Sequence, residues 1–341
     1  MNSLKIVTIN VRGIRDKKKR HILINWLKKR DFEIVCLQET FVTQESLSDI
    51  EKDFHEIGKY FASCTDSVHS RGVGILISHK INQWKLLNVH RDTEGRKVMI
   101  NIKNLSGEVY SISSLYVPNN LQLRIQFIKN CNDWVKQNAA DVQNLVITGD
   151  FNTCYDEFDR ESSKLDKSAD TFNEFIKKND LIDSFRSANP CVKGFTYIHA
   201  SDSKRNSRID YILVSKPTVQ AISSSSVISC PAPDHKALGT ILNFNMNKRG
   251  KGYWKLNNSL LTDNAYKAII RLDILHTINT YGSLISKQEL IELIKVIVKE
   301  SSIRYSMCKK STSRISQIEN ELDLIDTNMS TFHNPELIVK R

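Results

Sequence analysis

LVITGDFN, residues 145–152, decides how this chain is read. An apolar, β-branched run of strand length stops on Gly149 and then sets down Asp150 and Asn152. Gly, Asp and Asn are ordinary turn formers, so the plain reading is a turn. The sharper one is a functional loop held by a rigid strand. The choice rests on whether other strands end in the same way.

They do. TIN closes the first apolar run on Asn10, and CLQET carries Glu39 just past IVCL. SLYVPNN delivers Tyr116 and Asn119. SRIDYIL opens a strand with Asp210, and PAPDHKAL sets Asp234 beside His235. Any one of these could be a cap, a surface acid or a loop pair. Their recurrence at strand ends points to one shared site. The carboxylates of Glu39, Asp150 and Asp234 and the amide oxygens of Asn10 and Asn152 are hard ligands, suited to Mg²⁺ or Mn²⁺. A histidine near a strand-borne aspartate suits a proton-transfer dyad. A divalent ion, a dyad and a basic surface together suggest phosphodiester hydrolysis.

The bulk composition agrees. The 341 residues carry a net charge of +11, which favours a polyanionic partner, most commonly nucleic acid, and 40% of them are hydrophobic, enough for a sizeable core. Basic runs occur at 17–20 (KKKR) and 247–252 (NKRGKG). No run of about 18 apolar residues is present, so no membrane span is expected. MNSLKIVTIN enters a strand directly and lacks a secretory h-region, so a nuclear or cytoplasmic rather than secreted protein is expected. The seven cysteines are scattered and show no zinc-site spacing, which fits a reducing compartment. Cys36, inside IVCLQ, reads as a small core residue.

Strand patterns are expected at 4–9, 33–39, 73–78, 97–102, 109–117, 145–149, 209–214 and 237–244. Asp16 is placed to cap a helix whose apolar stripe would be Ile22, Leu23, Trp26 and Leu27. Further helices are expected near 46–57, 121–138 and 168–179. Several strands follow one another without a helix, which favours mixed or antiparallel sheets with helices outside. After residue 245 the strand pattern ends. A basic linker over 246–262, with NMNKRGKGY at its start, leads into a helical tail over 263–341 that carries apolar stripes.

The motifs together resemble the endonuclease/exonuclease/phosphatase superfamily, in the family's order, over about residues 4–244. RGVGILIS (71–78), EGRKVMI (94–100), GDFNTCYDEFDR (149–160), LIDSFR (181–186) and GYWKLNNSLL (252–261) narrow the resemblance to the endonuclease region of LINE-type non-LTR retrotransposon polyproteins. The resemblance implies a four-layer α/β sandwich, two mixed sheets face to face with helices outside, in which the strand ends converge and Gly149 lets the chain turn. It implies that Glu39, with Asn10 and Asp234, holds Mg²⁺, that Asp150 serves the attacking water, and that Asn152, Tyr116 and Asn119 bond phosphate oxygens. Asp210 and His235 would form the dyad, and Arg160, Thr196 and Ser207 would contact DNA or line the cleft. The expected activity is Mg²⁺-dependent nicking of one DNA strand, in a chain that would precede a reverse transcriptase. The alternatives are an abasic-site or exonuclease III-like repair enzyme and a decayed nuclease that only binds DNA. One position departs from the family's repair enzymes. They carry an Asp two residues after the first Asn, where this chain has Arg12.

Overall fold

A computed structural model describes residues 3–67, 69–162, 164–244 and 255–331, the last 22 of these as backbone only. The predicted NMNKRGKGY segment at 245–253 lies outside the described residues. The chain divides into two compact units, 1–189 with 193–247 and 190–192 with 248–341.

The first unit is built in the order β1 (Ser3–Asn10), α1 (Lys17–Arg30), β2 (Ile34–Gln38), α2 (Gln44–Phe54), β3 (Gly58–Ser63), β4 (Val73–Ser78), β5 (Lys85–Arg91), β6 (Lys97–Lys103) and β7 (Val109–Tyr116). It continues with α3 (Leu121–Asn138), β8 (Leu145–Asp150), α4 (Ser168–Lys178), β9 (Leu181–Asp183), α5 (Ser184–Ala188), β10 (Asp210–Ser215), β11 (Ile222–Ile228) and β12 (Ala237–Asn243). Two six-stranded sheets result, ordered β11-β12-β1-β2-β4-β3 and β5-β6-β7-β8-β10-β9. Each contains one parallel pair, β1 with β2 and β7 with β8, among antiparallel neighbours. This is the expected four-layer sandwich.

Strand alternation sorts the side chains into layers. Val7, Val35 and Leu76 face outward onto Leu23, Ile24 and Leu27 of α1 and Ile50 and Phe54 of α2. Leu115, Ile147 and Leu213 face outward onto Ile128 and Val135 of α3 and Phe172 and Phe175 of α4. The intervening residues meet between the sheets. There Gln38 accepts a hydrogen bond from Thr8 and donates one to Ser114 Oγ at 2.9 Å, so a buried carboxamide links the two sheets. Cys36 is fully buried, as its apolar setting implied.

Asp16 caps α1 by accepting from the Lys19 N–H at 2.7 Å, a contact of the kind that contributes about 1 kcal/mol. The buried face of α1 differs from the expected stripe. Ile22 is 57% exposed, whereas Arg20 is buried with Leu23, Ile24 and Leu27. Arg20 is accommodated because its guanidinium pairs with Asp53 and donates to the Ile14 carbonyl.

Gly149 also differs from expectation. It lies within β8, paired with Leu115 and Tyr211, and makes no turn. A Cβ there would meet the Leu115 carbonyl oxygen at 2.0 Å, and its φ is +142°. Glycine is required by close strand approach.

The second unit contains α6 (Asn264–Tyr281) and α7 (Lys287–Thr331). They pack through Tyr266, whose hydroxyl lies 2.8 Å from Ser302 Oγ, and through Ser301, which donates to Asp273. In this unit Cys191 and Cys308 form a disulfide, a pair that departs from the reducing compartment the scattered cysteines suggested. Among the described residues no helix is long and apolar enough to cross a membrane.

Candidate active site

Topology explains why polar strand ends gather. Parallel strands present their C-terminal ends to one edge, and antiparallel neighbours present their N-terminal ends to it. β1 therefore ends on Asn10, β7 on Tyr116 and β8 on Asp150, while β10 begins with Asp210 directly opposite Asp150. His235 lies just ahead of β12. The period of two settles the face. Ile9, Leu115, Phe151 and Tyr211 belong to the outward cores, so Asn10, Tyr116, Asp150 and Asp210 point into the seam between the sheets.

Two hydrogen-bonded links cross that seam. Asn10 Nδ2 donates to Glu39 Oε1 at 3.0 Å and to Asp150 Oδ2 at 2.9 Å. His235 Nδ1 lies 2.9 Å from Asp210 Oδ2. Asn10 thus serves the two carboxylates as a donor, and its amide oxygen accepts from the Arg12 N–H at 3.2 Å. The Asn152 N–H donates to Asp150 Oδ1, and its Nδ2 donates one hydrogen to the Val117 carbonyl at 2.7 Å, which leaves its other amide hydrogen for a ligand. Arg12, Glu39, Phe41, Arg71 and Asn152 all have positive φ without being glycine. Such backbone is uncommon and gathers at functional sites.

Electrostatics separate the titratable groups. Burial, then the neighbouring Asp210, push the Asp150 carboxyl up to about 7, against the opposing effects of His235 and the Asn10 and Asn152 donors. Burial also raises Tyr116, with the charges of Glu39 and Asp150 adding to it, so its phenol stays protonated. For His235, burial works to lower the pKa, but the charge and hydrogen bond of Asp210 outweigh it and hold the imidazole at about 9. A raised base stabilises the fold fully below its ordinary value of 6.5, and this contribution is lost as pH rises through about 9. In the metal-free protein the His235 imidazole NMR signals should titrate near pH 9. In Asp210→Asn they should titrate at least one unit lower. An unchanged midpoint would show that Asp210 does not set the charge of His235.

The residues suit a divalent cation. The cleft gathers the carboxylates of Glu39, Asp150 and Asp234, with Arg12 paired to Asp234, and beside it the buried Oδ1 of Asp210 accepts no hydrogen bond from any described residue. Ligand atoms of Asp150, Asp210 and His235 lie within 4.8 Å of one another. His235 Nδ1 is already engaged with Asp210.

The cleft has a volume of about 810 Å³. It includes Asn119, Arg160 and Ser207 among its lining, as expected. Thr196 is elsewhere: it is fully buried, and its Oγ1 accepts from the N–H groups of Ile209 and Asp210 at 3.2 Å, which fixes the start of β10. Arg160 donates to the Lys164 carbonyl. Several contributors escaped the sequence reading. Arg124 is buried on α3, yet it pairs with Asp166 and donates to the Pro118 and Asn119 carbonyls, fixing the Asn119 loop. An arginine on the apolar side of LQLRIQF was the available signal. Arg208, fully buried between Phe185 and Tyr211, pairs with Asp159 and Asp183 just before Asp210. Lys204 and Arg205 add positive charge at the rim.

Two facing six-stranded sheets with helices outside, and acids, amides and an imidazole at one edge, define an enzyme-like fold of the α/β-sandwich class. The chain belongs to the endonuclease/exonuclease/phosphatase family, whose model matches residues 7–248. It is similar to the Transposon TX1 uncharacterized 149 kDa protein of Xenopus laevis, at 28% identity over 79% of this chain. That match spans 20% of the transposon protein's length. Among solved structures, an AP endonuclease from Archaeoglobus fulgidus superposes with a TM-score of 0.58 at 22% identity, covering 70% of this chain and 99% of that one. The endonuclease domain of TRAS1, a telomere-specific non-LTR retrotransposon, superposes with a TM-score of 0.55 at 14% identity, covering 71% and 99%. Both structural likenesses are of fold.

Proposed function

We propose that this chain is a Mg²⁺-dependent DNA endonuclease that hydrolyses one phosphodiester bond and leaves a 3′-hydroxyl, as in target-site nicking by non-LTR retrotransposons. The observation that carries the reading is the pair of seam-crossing links, Glu39–Asn10–Asp150 and Asp210–His235, in one cleft. Similarity to the TX1 transposon protein supports the retroelement context. In this reading the nuclease ends near residue 245, the helical tail meets a downstream reverse transcriptase, and the protein works in the nucleus or cytoplasm.

The residues divide the labour. Glu39, with the amide of Asn10 beside it, would hold Mg²⁺ or Mn²⁺, while Asp234, the third ligand expected from the sequence, is paired with Arg12 and is set aside from the ligand set. The ion supplies Lewis-acid polarisation of a phosphate oxygen. Asp150, buried and raised, accepts the proton of the attacking water. Tyr116 stays protonated and donates to a phosphate oxygen, with Arg96 stacked 5.2 Å from its ring centroid. Asn152 and Asn119 donate as charge develops. His235, charged and oriented by Asp210, stabilises the crowded phosphorus centre. Arg160, Lys204 and Arg205 hold the flanking backbone.

Nicking of supercoiled plasmid with Mg²⁺ and with EDTA tests the reading. Substrate choice separates it from repair. Because Arg12 stands where the repair enzymes carry an acid, an abasic-site duplex should be cut no more than severalfold faster than an intact T/A-rich duplex. A preference of several hundredfold would favour the repair reading.

A further inference from the structure

Arg12 follows Asn10 by two residues and lines the same cleft as Glu39, Asp234 and His235. Its guanidinium pairs with Asp234 Oδ2. The backbone on both sides of the pair is fixed. The Arg12 N–H donates to Asn10 Oδ1, its carbonyl accepts from Lys19 Nζ, and the Asp234 carbonyl accepts from Ile198 N–H at 2.9 Å. The Arg12 side chain is 57% exposed and that of Asp234 22%. A guanidinium carries five N–H donors in a rigid fork and does not lose its charge, so pairing one edge with a carboxylate leaves others for a phosphate. A divalent ion prefers a carboxylate without a competing cation. On these grounds we infer that Arg12 is a built-in cation: by holding Asp234 it keeps that carboxylate out of metal coordination, limits the cleft to one divalent ion on the Glu39 side, and offers its free N–H edge to the DNA phosphate.

This inference rests on the metal-dependent nuclease reading, and metal binding is therefore measured apart from activity. The full chain would be titrated with Mn²⁺ and free ion counted by electron paramagnetic resonance. Wild type and Asp234→Asn should each bind one Mn²⁺. Arg12→Ala should bind two, because Asp234 is released, and the double variant should return to one. Circular dichroism melts would establish that each variant folds. In parallel, Arg12→Ala should raise the KM for plasmid by about tenfold, the scale of a lost charge-assisted hydrogen bond, and Arg12→Lys should recover only part of it. Two ions in wild type, or one in folded Arg12→Ala, would overturn the role of Arg12 and leave the nuclease reading standing. No Mn²⁺ bound by folded wild type would overturn the metal-dependent reading and this inference with it.

Discussion

His235→Ala should nick DNA about 10²–10⁴-fold more slowly than wild type, the usual scale for a lost acid–base or charge-stabilising group. Asp210→Asn should fall in the same range. Its carboxylate is fully buried, bonds His235 Nδ1, and holds the imidazole at about 9. With Asn in its place the imidazole is less readily charged and less firmly oriented. The two losses should not add, because both variants disable one unit. DNA binding, measured without metal, should change little, since neither residue anchors the backbone. Wild-type turnover in folded His235→Ala would remove the dyad from the mechanism.

Glu39→Gln should be the most damaging single change on the metal side. Glu39 follows β2 with φ +50°, and Asn10 Nδ2 fixes its Oε1. Gln preserves size and a hydrogen-bonding oxygen but removes the charge that holds a cation. A turnover loss of about 10³-fold is expected, from several kcal/mol of lost metal-based charge stabilisation. Raising Mg²⁺ should recover part of it if the deficit is one of ion affinity. A folded Glu39→Gln protein with wild-type rate and wild-type Mg²⁺ dependence would contradict the assignment.

Much of the site was legible because strand ends are short, contiguous motifs. Asn10, Tyr116, Asp150 and Asp210 each sit at the terminus of an apolar run, and strand alternation then fixes the face they present. The links between motifs were not legible. That Asn10 donates to two carboxylates, or that Arg12 pairs with Asp234, depends on a register shared between two sheets. The sequence placed Thr196 in the cleft, but a hydroxyl gives no sign of whether it faces solvent or caps a strand's N–H groups.

The missed elements have physical reasons as well. β11, ISSSSVI, carries neither an apolar run nor alternation, because it is an edge strand with a single buried residue. β5 is the corresponding edge of the other sheet, and β9 is three residues long. β3 opens on Gly58, where a Cβ would meet the Ile77 carbonyl oxygen at 2.2 Å. Ile22 and Arg20 exchange their expected places on α1 because an ion pair with Asp53 outweighs hydropathy. Nothing local marks such a partner, 33 residues away in sequence.

The central claim is that this cleft hydrolyses DNA with a divalent ion. The most direct measurement is incubation of the full chain with supercoiled plasmid in Mg²⁺ and in EDTA, followed by gel electrophoresis and extension of the product by a DNA polymerase. The account predicts open circles in Mg²⁺ that the polymerase can extend from the nick, and intact supercoil in EDTA. Equal nicking in EDTA, or no nicking by folded protein in either Mg²⁺ or Mn²⁺, would contradict it.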